Sequence, residues 1–149
     1  MFASLIIISF SVLLFLYWFR YSCLLILSTK TTRDYALEVA SANRLELPRI
    51  QATLQSAVPA EDLEGLQHSL DRDYRLITGL LRHAAEFRLG GVSLEERMLM
   101  IDFQIMRLSY RAACRLSQFA FAQKALEEMA DIVSHFANAI GERSAVASR

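Results

Sequence analysis

The chain is 149 residues long, 54 % of them hydrophobic, with sixteen basic and sixteen acidic side chains and no formal net charge. That length holds an anchor and one modest domain, and the interspersed charges lack the clustered basic face that nucleic-acid binding requires. Two distant cysteines, Cys23 and Cys114, do not make a disulfide framework, and five glycines with two prolines are too few for a strand-rich fold, so an all-α fold is expected.

The first stretch, MFASLIIISFSVLLFLYWFR, has no charge from Phe2 to Phe19. Eighteen residues at about 1.5 Å each make a helix of roughly 27 Å, against a hydrocarbon core of about 30 Å. Nothing basic precedes the run and no small-residue cleavage pattern follows it, so a retained transmembrane anchor is expected rather than an export signal. Tyr17, Trp18 and Tyr21 gather around Arg20 at its end, as an interfacial aromatic belt with a snorkelling cation does. These four residues are the candidate membrane-interface or docking set. Basic residues Arg20, Lys30 and Arg33 lie on the C-terminal side, so the positive-inside rule places the N-terminus outside and the body in the cytoplasm. The apolar YSCLLIL after Arg20 leaves the membrane exit open between Phe19 and Leu27. An arginine within the bilayer would need a partner; at its surface it would not.

The polar STKTT at 28–32 follows, with Thr31 or Thr32 as a candidate cap and Asp34 in the first turn of a helix to Leu45. Pro48 restarts the chain as a short helix to about Ser56, carrying Ile50 and Leu54 inward. Pro59 and the acids Glu61, Asp62 and Glu64 open a third helix. Its apolar face comprises Leu63, Leu66, Leu70, Tyr74, Ile77, Leu81, Ala84 and Phe87, and Gly90-Gly91 ends it.

Ser93 and Glu96 form a capping box, and beyond them no glycine or proline occurs until Gly141. One helix of roughly 70 Å over about 94–140 is therefore expected. One seam runs its length: Met98, Ile101, Ile105, Leu108, Ala112, Leu116, Phe119, Ala122, Leu126, Met129, Val133, Phe136 and Ile140. Its mean spacing is 3.5, the coiled-coil period. A second stripe, Leu99, Phe103, Met106, Tyr110 and Ala113, widens the N-terminal half. The returning third helix covers only part of this seam, so the helix at 33–45 or another copy of the chain must cover the rest, and Leu126, Met129, Val133, Phe136 and Ile140 are the candidate partner-binding residues. The expected division is an anchor at 1–27, a helical bundle at 28–141 and a flexible tail at 142–149.

Motifs for chemistry are few. Glu64 with His68, and Asp131 with His135, stand four apart on helices, but no Glu-x-x-His pair of a di-metal bundle occurs, and neither metal nor cofactor is expected. Gly90-Gly91 lacks the lysine and strand of a phosphate loop. Cys114, mid-helix, reads as a small core residue. The run Asp71-Arg72-Asp73-Tyr74-Arg75 reads as an exposed face, and Met98, Met100 and Met106 as core filling. With no catalytic constellation, the expected work is binding: a single-pass accessory, assembly or scaffold subunit meeting the bilayer and other membrane-protein subunits. The alternative is a signalling or scaffold protein whose coiled coil pairs with a second copy of itself.

Overall fold

The structure, a computed structural model, describes residues 1–29, 33–87 and 91–148. All regular structure among them is helical, in six helices. Contacts group the chain into two units, Met1–Lys30 and Thr31–Arg149.

The first unit is a single helix, α1 (Phe2–Ser28). It runs through Arg20 without a break, and its 27 residues extend about 40 Å. Two of its hydroxyls are satisfied by its own carbonyls, Ser22 Oγ donating to Trp18 O at 2.9 Å and Ser28 Oγ to Leu25 O at 2.7 Å. That is the arrangement an apolar solvent demands. The helix is long and apolar enough to cross a membrane.

The second unit is built from α2 (Ala36–Ala42), α3 (Leu47–Leu54), α4 (Leu63–Phe87), α5 (Leu94–Arg115) and α6 (Phe119–Ala147). Helix α6 is its centre, and the other four all pack on it. The predicted caps Thr31 and Thr32 lie outside the described residues. At the start of α2 the Tyr35 N–H donates instead to Asn138 Oδ1 on α6, at 2.7 Å, and the Ala36 N–H to Asp34 Oδ1 at 3.0 Å. Helix α3 begins with Pro48 in its first turn and buries Leu47, Ile50 and Leu54, as its spacing requires. After Pro59 the chain makes one turn, closed by the Asp62 N–H on Pro59 O, before α4 begins at Leu63. Its core face follows the predicted rows, with Leu63, Leu70, Ile77 and Leu81 fully covered. Of the glycine pair expected to stop α4, Gly90 lies outside the described residues and Gly91 is left-handed at φ 63°.

The single helix expected over 94–140 is two. The backbone reverses at Leu116–Gln118, where Ser117 takes φ 55°. The Gln118 N–H donates to Ala113 O at 2.9 Å and the Ser117 N–H to Cys114 O at 3.2 Å. Together these form a Schellman motif. Its left-handed position holds serine where glycine is usual, so no glycine marked the stop. The same device ends α2, where Arg44 is left-handed at φ 52° and the Leu45 N–H reaches Ala40 O at 2.9 Å. The capping box that opens α5 forms as expected: the Glu96 N–H donates to Ser93 Oγ and the Ser93 N–H to Glu96 Oε2.

Reversal lays α6 back along α5. It also selects between the two stripes of α5. The second stripe is inside, with Leu99 and Phe103 at 0 % exposure, whereas Ile101 and Leu108 of the predicted seam are 54 % and 63 % exposed. The inner stripe carries the larger payload, since each aromatic ring buries about 150–250 Å². Phe103 stacks on Tyr74 of α4 at 3.8 Å between ring centres, and Phe136 of α6 joins them at 6.3 Å from Tyr74.

Gly141, expected to end the last helix, lies within it. Helix α6 continues to Ala147 over the stretch expected to fray. The glycine is there for proximity: a Cβ on it would stand 2.2 Å from Tyr35 Cβ. Gly141→Ala forces Tyr35 and the start of α2 outward, and should lower stability by about 2 kcal/mol in denaturant titrations of the full chain. Ser117→Gly relieves the left-handed strain, and should raise stability by about 0.5–1 kcal/mol in the same titration.

Candidate functional site

Both sets of residues singled out from the sequence have clear places. Tyr17, Trp18 and Tyr21 are 67 %, 64 % and 54 % exposed on α1, on the turns around Arg20. They form the outward border of the apolar run, and every residue of its most apolar window is uncovered. The second set is corrected. Leu126, Met129, Val133 and Phe136 are fully buried within the chain and Ile140 is half-buried. The cover comes from the chain's own helices: α2, in the region of the helix expected at 33–45, packs on α6, and the reversal at Ser117 brings α5 onto it as well. The first four are core.

Two buried carboxylates of the second unit, Glu96 and Asp71, face arginines on other helices. At the far ends of the α5–α6 hairpin, Arg143 Nη2 donates to Glu96 Oε1, while the other oxygen of Glu96 closes the capping box. Glu96 is 4 % exposed, so this one carboxylate both starts α5 and holds the last turns of α6. Breaking such a buried pair is costly in general, of the order of 3–5 kcal/mol. Between α4 and α5, Gln67 Nε2 donates to Asp71 Oδ2 at 2.6 Å, and Arg107 of α5 lies 3.8 Å from the same oxygen.

The run from Asp71 to Arg75 is therefore no solvated face. Asp71 and Asp73 are 8 % and 0 % exposed, and Tyr74 is stacked on Phe103. Asp73 sits at the start of α3. Burial pushes its carboxyl up, against the backbone N–H groups of Glu46 and Leu47 and the nearby Arg72 guanidinium, 3.6 Å away. Nothing in the sequence separates this aspartate from its exposed neighbours. Its position follows from α3 packing on α4.

The histidine pairs divide. His68 and Glu64 are 3.9 Å apart but 72 % and 81 % exposed, a solvated pair. His135 is held below its ordinary value by burial, partly offset by Glu95, Glu96 and Glu142. Its electrostatic neighbours are thus at the ends of α5 and α6, rather than Asp131 one turn before it. Among the described residues no group of three or more His, Cys, Asp or Glu side chains is placed to hold a metal ion. Both cysteines are free thiols. A groove of about 390 Å³ between α3 and α6 is lined by Gln51, Leu54, Gln55, Glu127, Ala130 and Asp131. It combines two carboxylates and two amides with little apolar wall, unlike the mostly apolar pockets that hold small molecules.

Compared with known protein families, with curated proteins and with solved structures, the chain matches none.

Two opposite pH dependences follow from the buried titratable groups. A histidine whose folded value is depressed leaves the folded state holding its proton more weakly than the unfolded one. Stability is therefore lost as pH falls below 6.5, the ordinary value of His135. A carboxyl whose folded value is raised leaves the folded state holding its proton more tightly. Asp73 therefore costs stability at neutral pH and less as pH falls toward its ordinary 3.8. In urea titrations across this range, His135→Gln should gain on the wild type as the solution is acidified. Asp73→Asn should be ahead at neutral pH and lose its lead in acid.

Proposed function

We propose that this chain is a single-pass membrane protein that works by binding other proteins, as a small accessory, assembly or scaffold subunit of a membrane complex. The observation that carries this reading is α1. It is a 27-residue helix uncharged but for Arg20, its most apolar window is wholly uncovered, and the hydroxyls of Ser22 and Ser28 are satisfied internally. Such a helix is stable in a bilayer and poorly matched to water. The distribution of Arg20, Lys30 and Arg33 orients it with the N-terminus outside and the bundle in the cytoplasm.

Binding rather than catalysis is also supported by the bundle, where the buried carboxylates Glu96 and Asp71 are taken up in contacts between helices, with Arg143 and with Arg107. The partner-facing surface is placed on α1, where Arg20 stands among Tyr17, Trp18 and Tyr21. An arginine on a membrane helix favours a carboxylate or headgroup beside it, and exposed aromatic rings favour the packed, partly polar contacts of helix interfaces. The alternative is a self-associating signalling or scaffold protein; the distal part of its predicted seam, Leu126, Met129, Val133 and Phe136, is buried within the chain, whereas Ile101 and Leu108 face outward.

Two measurements test this. Alkaline extraction should leave the full chain in the membrane fraction, and release into the wash would overturn the anchor. With a photo-crosslinker replacing Tyr17 or Tyr21 in native membranes, the expected product is a discrete adduct with another membrane polypeptide, weakened about tenfold by Arg20→Gln. Adducts with lipid alone, or with a second copy, would reject the accessory role.

A further inference from the structure

The ridge that α5 turns away from the core carries an inference beyond the anchor, and it rests on the anchor reading. Leu94, Ile101, Leu108 and Leu116 are 74 %, 54 %, 63 % and 69 % exposed. Spaced by seven residues, Leu94, Ile101 and Leu108 form one line on the face opposite Leu99, Phe103 and Tyr110, and Leu116 is the residue that caps the helix beyond it. Single exposed leucines are ordinary, but an aligned row of them on one helix marks a surface that is covered in use.

What covers it is indicated by charge. Arg97, Arg111 and Arg115 are exposed and, at 100° per residue, stand within about 70° of the Ile101–Leu108 line. The carboxylates of α5 do not offset them: Glu96 and Asp102 are buried, 4 % and 0 % exposed, which leaves Glu95 alone outward. An apolar ridge edged by arginine is the pattern of a helix lying in the plane of an anionic bilayer surface. A second copy suits it less well. A two-fold pairing of the ridge sets these arginines against their own copies.

We propose that the outward face of α5 rests on the anionic lipid surface of the membrane that α1 crosses. The apolar ridge enters the headgroup region and the three arginines meet lipid phosphates. The cytoplasmic leaflet is the anionic one, which agrees with the orientation proposed from Arg20, Lys30 and Arg33. Each arginine near such a surface strengthens association about fivefold, so removing three weakens it on the order of a hundredfold.

The test uses the full chain, one copy per nanodisc, with brominated phosphatidylcholine alone or mixed with phosphatidylglycerol. In a Trp18→Phe background the only tryptophan is then placed by Leu108→Trp on the ridge, or by Leu37→Trp on α2, which packs on α6 away from α5. In discs containing phosphatidylglycerol, the L108W chain should be quenched several-fold more strongly than the L37W chain. The excess should vanish in pure phosphatidylcholine or when Arg97, Arg111 and Arg115 are all glutamine. Equal quenching at the two positions overturns the proposal and leaves the anchor standing. A blue shift of L108W emission seen only with several copies per disc also overturns it and assigns the ridge to a second copy. A chain that fails to enter discs and is released from membranes by alkali removes the anchor reading itself.

Discussion

Between Arg115 and Phe119 the backbone reverses through one left-handed residue, and most of the bundle depends on that turn. The strain at Ser117 is about 1 kcal/mol or more for a residue with a Cβ, offset by the two hydrogen bonds that close the helix end on Ala113 and Cys114. Unbroken, α5 and α6 would form a rod with its distal apolar face uncovered. Folded back, the two helices bury Met129, Val133 and Phe136 within the chain and set Glu96 beside Arg143. The reversal also brings the start of α5 level with the last turns of α6. That is why a carboxylate placed for capping can serve a second helix.

Close approach at the other end of α6 completes the arrangement. Tyr35 meets the backbone at Gly141, and Asn138, one turn earlier, accepts the Tyr35 N–H at 2.7 Å. One helix thus supplies both the space and the cap for the start of α2, an element of seven residues that could not hold itself together in water. The bundle depends on α6 in the literal sense that α2, α3, α4 and α5 all pack upon it. Mutations on its buried face should therefore loosen the unit as a whole, whereas changes to α3 are confined to one flank.

How much of this the sequence disclosed follows the strength of local signals. Where a residue type has one dominant local use, the expectation held: Pro48 opening α3, Ser93 with Glu96 opening α5, the apolar row of α4, the uncharged first helix, and the all-α class. The errors occur where tertiary contact overrides local preference. Ser117 and Arg44 take left-handed backbone without the glycine that announces it. Gly141, read as a stop, is a contact point. Asp73 is indistinguishable by type from its solvated neighbours and is buried by the docking of α3. Periodicity located both stripes on α5 but could not rank them, because either one satisfies a helical repeat.

That ambiguity is itself informative. A surface helix of a globular domain needs one apolar stripe, and α5 has two on opposite sides. The inner stripe is accounted for by Tyr74, Phe136 and the packing of α6. The outer one gains nothing from the bundle, and Ile101, Leu108 and Leu116 cost solubility for as long as they face water. On the proposed reading, in which α1 crosses a bilayer, this stripe has a second apolar phase to meet. The flanking arginines suit the surface of that phase, since a guanidinium pairs with phosphate through two hydrogen bonds while its stem lies along apolar ground. On that reading each stripe of α5 is matched to a different solvent, the inner one to the protein core and the outer one to a membrane surface.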